Sequence, residues 1–164
     1  MGRAHYRSLT LSLLAITALA ASACTHIPRD SNGAFNRIRG GVLRAGVIEH
    51  PPWTVVDDDH NVSGVESQLI EDWASGLGAR VQWRHADLDE LVEALHRREI
   101  DVLAAGLHQT TPYASKLALT QPYAEVDDGR GQTQRLVLAV TPGESALLLN
   151  LDQFLAGRAI AIQP

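Results

Sequence analysis

A single cysteine, Cys24, among 164 residues excludes an intramolecular disulfide and a structural zinc site built on thiolates. No apolar run reaches the roughly 20 residues that a transmembrane helix needs. Among the seven histidines, His50, His60, His85, His96 and His108 form no His-x-x-x-His or comparable pair on a helix face, so no metal site is expected. Asp57-Asp58-Asp59 lacks the alternating ligands and distal glutamate of a calcium loop and reads as a solvated turn. There is no nucleophile elbow, no glycine-rich phosphate loop and no paired-carboxylate motif, and no cofactor is expected. Glu99 and Asp101 flank a strand start, a structural position. The formal net charge is −5. An acidic body argues against nucleic acid as a partner and against binding anionic lipid by charge.

What the chain has begins with the placement of that cysteine. Met1–Tyr6 carries Arg3 and stops before Arg7, Leu9–Ala20 is uncharged and rich in Leu and Ala, and Ala21-Ser22-Ala23 puts small residues directly before Cys24. A basic start, a short apolar stretch and small residues at the cut make an export signal. A thiol just behind the cut can be acylated and become the new N-terminus. The pattern resembles a bacterial lipobox, with Ala21 where leucine is commoner. Residues 1–23 are expected to be a lipoprotein signal peptide and Cys24 the lipidation site, giving a periplasmic protein lipid-anchored to a bacterial membrane. An ordinary secretory leader or an uncleaved anchor would also place the body outside the cytoplasm. Loss of Arg3 and Arg7 takes the 14 basic residues to 12 against 19 acidic. The remaining residues suffice for one domain with its own core.

Residues 24–37 are polar, with Pro28, Ser31 and Gly33, and read as a flexible tether with little structure of its own. Val42–Ile48 is a β-branched run behind Gly40-Gly41, a buried strand ended by Pro51-Pro52. Thr54–Val56 and Val62 flank an acidic hairpin tip. In Glu66–Leu77 the apolar residues Leu69, Ile70, Trp73 and Leu77 share one helical face, with Gly78 as the stop. Arg80–Arg84 alternates as a half-buried strand. Asp87 and Glu90 have the spacing of a capping box for a helix whose stripe is Leu88, Leu91, Val92 and Leu95. Val102–Ala105 is a third strand, Leu136–Val140 a further apolar run, Leu151–Leu155 a short helix and Ala159–Ile162 the start of another strand. Strands alternating with helices imply an α/β fold with a central, mostly parallel sheet flanked by helices. Ligands settle at the carboxyl ends of such strands, here His50–Trp53 and Gly106–Tyr113.

The order of elements and several motifs resemble the amino-acid type, family 3, periplasmic solute-binding proteins of ABC transporters. The pieces are Leu43-Arg44-Ala45-Gly46-Val47, Pro51-Pro52-Trp53, Gly64-Val65-Glu66, Glu99-Ile100-Asp101-Val102, Gly106 and Gln121-Pro122-Tyr123. The resemblance covers Arg39 to Pro164. It implies a type II clamshell whose first lobe is residues 38–135, with residues 136–164 as the interlobe crossing strand and the start of a truncated second lobe. It also implies a monomer that binds a small-molecule solute without chemistry and meets an ABC permease. Two other classes remain. One is an enzyme similar to the periplasmic cyclohexadienyl dehydratases, with His108 and Glu66 as its only acid/base candidates. The other is a sensor lobe similar to the front half of membrane-bound lytic transglycosylases.

The resemblance places ligand-binding residues at His50, Trp53, Gly106, His108, Thr110, Thr111 and Tyr113. Trp53 either stacks a solute on its electron-rich face or sits in the core under the hairpin. Gly106 fits a close approach of backbone to ligand. The loop Gly106-Leu107-His108-Gln109-Thr110-Thr111-Pro112-Tyr113 departs from the family pattern, which ends in an arginine that grips a carboxylate with two parallel bonds. Tyr113 offers one neutral hydroxyl there, so a neutral or cationic solute, or a degenerate site, is expected rather than a free α-amino acid. Glu49 and Glu66 either favour cations or face solvent.

Overall fold

Residues 28–127 and 131–158 are described by the computed structural model. The β-branched and small residues of β1 (Val42–Val47) form an inner strand of a mixed sheet. A small hairpin, β2 (Val55–Val56) and β3 (Val62–Ser63), follows and is antiparallel, as its acidic turn implied. Helix α2 (Val65–Gly76), strand β4 (Arg80–His85), helix α3 (Leu88–His96) and strand β5 (Val102–His108) complete the alternating part. Before them lies a one-turn helix, α1 (Ala34–Ile38). After them come β6 (Ala118–Leu119), β7 (Ala124–Asp127), β8 (Thr133–Val140) and helix α4 (Ser145–Ala156).

The sheet runs β4-β1-β5-β8-β6, with β7 also paired to β8. β1 is parallel to both β4 and β5, while β8 is antiparallel to β5, β6 and β7. Alternation along β8 divides the core. Leu136, Leu138 and Val140 join Trp73, Leu69 and Ile70 of α2 and Leu147 and Leu151 of α4 on one face. Val137 and Ala139 join Leu91, Val92 and Leu95 of α3 on the other. Helices thus cover both faces, as the alternating order predicts. The middle of β1 has no room for a side chain. A Cβ on Gly46 would lie 2.6 Å from Ile100 Cδ1.

Four sequence expectations change. Residues 30–38 are docked rather than trailing. Asp30 Oδ1 accepts hydrogen bonds from Ala146 N at 2.7 Å and Leu147 N at 2.9 Å, and its Oδ2 accepts one from Phe35 N at 2.7 Å. One carboxylate therefore satisfies the first N–H groups of α4 and one of α1, donors that otherwise have no partner. Second, the apolar run Leu136–Val140 is the inner part of a longer strand, β8, hydrogen-bonded on both sides within this sheet, and α4 then packs back against α1. Third, the capping box at Asp87 does not close: Asp87 makes no side-chain cap, and Glu90 instead accepts from Arg84 at 2.8 Å. Fourth, the helix expected at Leu151–Leu155 begins at Ser145. Cys24, the leader and Ala159–Ile162 lie outside the described residues.

Asp30→Ala leaves three N–H groups without their acceptor. It should cost about 1–2 kcal/mol of stability, read as a lower urea midpoint with an unchanged slope.

Candidate functional site

Two loops meet where β1 and β5 end. The β1 loop folds back on itself: His50 N donates to Thr54 O at 2.8 Å, and Trp53 N and Thr54 N donate to His50 O at 2.8 and 3.0 Å. The Pro51–Pro52 peptide inside it is cis. In β5 the register shifts between Leu103 and Leu107, and Gly106 takes a left-handed φ of 57° there. A Cβ at 106 would come within 2.5 Å of His50 Nδ1. The imidazole lies on bare backbone, so both the dihedral and the contact require glycine.

Glu66 fastens these pieces together. It is the second residue of α2 and is fully buried. Its Oε2 accepts from Thr54 Oγ1 at 2.9 Å, and its Oε1 accepts from the Tyr123 hydroxyl at 2.7 Å. Gly106 N donates across both oxygens at 3.0 and 3.1 Å, and Glu66 N donates to Trp53 O at 2.9 Å. Burial pushes the Glu66 carboxyl above the usual carboxylate range. The hydrogen bonds from Tyr123, Thr54 and Gly106, and the nearby His50, pull against that rise. The Tyr123 phenol is pushed up by its own burial and by the carboxylate beside it.

The sequence-predicted residues divide between two places. Trp53 is 8% exposed and meets the Tyr123 ring edge-on at 6.2 Å and 67°. It packs in the cluster that contains Leu136. His108 pairs with Leu136 across β8, which puts it on that same face. His50 is exposed, and Gly106 lies beneath it. Tyr113 sits elsewhere. Its hydroxyl donates to Asp89 at the start of α3, and its ring packs beside Leu91 and Leu107 on the opposite face. Thr111 Oγ1 accepts from Tyr113 N at 3.4 Å. Thr110 is exposed and lines a cleft of about 350 Å³ with Gln109, Glu125, Thr133, Gln134 and Arg135. In that cleft Arg135 Nε donates to Glu125 Oε1 at 3.1 Å. The structure therefore brings His50, Trp53 and Gly106 together, sets His108 on the same face of the sheet, and separates Tyr113 from them.

Glu66 is the correction in this site. It faces neither solvent nor a solute, so it is not half of an exposed acid/base pair with His108. The signal was present in the sequence: Glu66, Leu69, Ile70 and Trp73 fall at i, i+3, i+4 and i+7, which puts the acid on the buried stripe. Thr54 and Tyr123, its partners, carried no such signal. They lie far from Glu66 or each other in sequence and are joined only by the fold. The 109–110/125/133–135 cleft depends on β7 and β8 pairing and has no local pattern.

A family model for bacterial extracellular solute-binding proteins, family 3, matches residues 43–157. The arginine-bound form of domain 1 of TmArgBP superposes with a TM-score of 0.66 at 25% identity, covering 74% of this chain and 97% of that one. A point mutant of the same arginine-bound domain gives 0.68 at 26% identity, covering 76% and 97%. Among curated sequences, the membrane-bound lytic murein transglycosylase F of Idiomarina loihiensis is 31% identical over 82% of this chain and 31% of its own length. A probable histidine-binding protein of Campylobacter jejuni is 26% identical over 70% of this chain and 45% of its own length. The chain thus spans less than half the length of the curated relatives named here.

The raised Glu66 carboxyl has a pH consequence of definite sign. The native state holds its proton to higher pH than the unfolded chain, whose reference value is 4.5. Stability is therefore gained as pH falls through the raised native value, is complete below 4.5, and is lost as pH rises. Glu66→Gln cannot titrate. Wild-type stability minus that of Glu66→Gln should increase on acidification and then level off below pH 4.5. Urea unfolding of both proteins across pH checks this, and a pH-independent difference would refute it.

Proposed function

Because the chain belongs to family 3 of the bacterial extracellular solute-binding proteins, we propose that it is the solute-capturing lobe of an uptake system. In this reading a lipid on Cys24 holds it at a membrane. It binds a small polar solute at the carboxyl ends of β1 and β5 without chemistry, and a membrane permease receives the solute. The observation that carries the reading is the seating of His50 on Gly106, which joins two loops from adjacent parallel strands at the place where such sheets take ligands. The likeness to a single domain described as arginine-bound supports solute capture by one lobe. His50 and His108, with the polar cleft at Thr110, are the groups that would meet the solute.

The solute class follows from what stands at position 113. The family pattern has a guanidinium there; this chain has a phenol whose hydroxyl is engaged by Asp89. A neutral or cationic solute fits this loop better than one recognised by its carboxylate. Titration calorimetry with arginine and histidine beside their decarboxylated amines tests it. The amines should bind within about three-fold of their parents, because no bidentate carboxylate pair is lost. Amines weaker by about ten-fold or more would refute the cationic-solute reading. His108→Ala should weaken binding of the preferred amine by about ten-fold, the loss of one hydrogen bond to a charged group.

The likeness to transglycosylase F supports a second reading, a sensor lobe attached to an enzyme. Permease and ATPase genes beside this one favour uptake, and cell-wall hydrolase genes favour the sensor. The anchor is tested separately. Cys24→Ser should move the protein from the membrane to the soluble fraction on cell fractionation, and unchanged sedimentation with membranes would refute lipidation.

A further inference from the structure

The net charge argues against contact with anionic lipid, yet the charge is not evenly placed. Basic side chains gather at the end of the lobe where the amino termini of β1, β4 and β5 lie. Arg37 and Arg39 belong to α1 and its end, and Arg37 donates to Val42 O at 3.3 Å. Arg80 opens β4 opposite Val42. Arg98 ends the turn from α3 into β5. Lys116 precedes β6, whose Ala118 pairs with Val140, itself opposite Val102. Arg29 adjoins the docked Asp30. All six are exposed.

Three carboxylates at this end are turned inward, and the exposed Glu99 beside Arg98 is paired with Arg84 and Arg97. Asp30 is held on backbone N–H groups of α1 and α4. Asp101 is buried and bonded to Arg37 and Arg44. Glu144 is buried, accepts from Asn32 at 3.0 Å and lies 3.8 Å from Arg98. Exposed acids collect at the other end: Glu49 after β1, Asp57, Asp58 and Asp59 at the hairpin tip, Asp89 in the first turn of α3, and Glu125 beside the cleft.

We propose that the amino-terminal end of the strands, marked by Arg29, Arg39, Arg80, Arg98 and Lys116, rests on an anionic lipid surface, so that the solute loops point away from that membrane. The proposal rests on the lipid-anchor reading of Cys24. Two observations carry it beyond that reading. The lobe cannot stand far off, because Asp30 is docked and six peptide steps from Cys24 reach about 20 Å at most. The acidic end cannot oppose the contact, because β5 alone spans about 23 Å while surface charge is felt over about 8 Å at physiological salt. Charge contact of this kind is screened and reversible, so the lobe can lift to deliver a solute.

The test uses the full chain, processed in a bacterial host and reconstituted into vesicles. Cys24 is the chain's only native thiol and is blocked once acylated. A donor dye on Asn36→Cys or on Asp58→Cys therefore reports one end each, read by energy transfer to a headgroup-labelled lipid. In vesicles of phosphatidylglycerol with phosphatidylethanolamine, transfer from position 36 should exceed that from position 58 by about three-fold, and the difference should shrink as salt is raised from about 0.05 to about 0.5 M. It should also shrink in phosphatidylcholine vesicles and in the Arg39→Gln/Arg80→Gln/Lys116→Gln variant. Protein that floats with vesicles at high salt but shows equal transfer from both positions overturns the proposal and leaves the anchor intact. Protein that takes a second dye at Cys24 and does not float at high salt overturns the anchor. The basic face is then read by flotation at low salt. Binding to the anionic vesicles that the triple variant loses supports it, and no binding overturns it.

Discussion

A single buried carboxylate holds the solute end of this lobe together. Glu66 comes from the first turn of α2, yet its donors come from the loop after β1, from the irregular stretch of β5 and from the segment leading into β7. These four pieces have no continuous hydrogen-bond ladder between them. A carboxyl acceptor in a site with little water makes each donated bond stronger than the same bond at the surface. Removing any donor leaves part of the carboxylate unsatisfied, so the pieces are held as a unit rather than as separate contacts.

This arrangement decides what the site can be. Trp53 and Tyr123 pack edge to face above the carboxylate and shield it from solvent. The groups left facing outward are His50 and the hydroxyl and amide side chains around Thr110, with His108 half-buried behind them. An inward acid with an outward rim of hydrogen-bonding groups suits recognition, and burial takes Glu66 out of proton transfer with the imidazoles. Arg135 and Glu125 neutralise each other at the edge of the cleft, which keeps its field weak.

The alternating part of the fold was legible because its signals are local. The stripe Leu88, Leu91, Val92 and Leu95, the alternation of Arg80–Arg84 and the acidic hairpin tip each need only a short window, and each formed where expected. β6 and β7 were not legible. Ala118–Leu119 is strand only because β8 runs beside it. The full length of β8 was not legible either, since its outer residues Thr133, Gln134 and Arg135 are polar and extend the strand only by pairing with β7. The polar stretch before Ala34 looked unstructured because its order comes from Asp30 reaching helices more than a hundred residues apart in sequence. In the site, the rim residues were named from their loops, while the anchor beneath them was missed although its helical spacing was visible.

The seating of His50 on Gly106 has a consequence for how such loops diverge. A side chain at 106 meets both the imidazole and a left-handed backbone, so shrinking residue 50 removes only one of the two obstacles. Diversity at this rim therefore enters through the exposed position 50, while 106 stays glycine as the fixed floor on which each new side chain is laid.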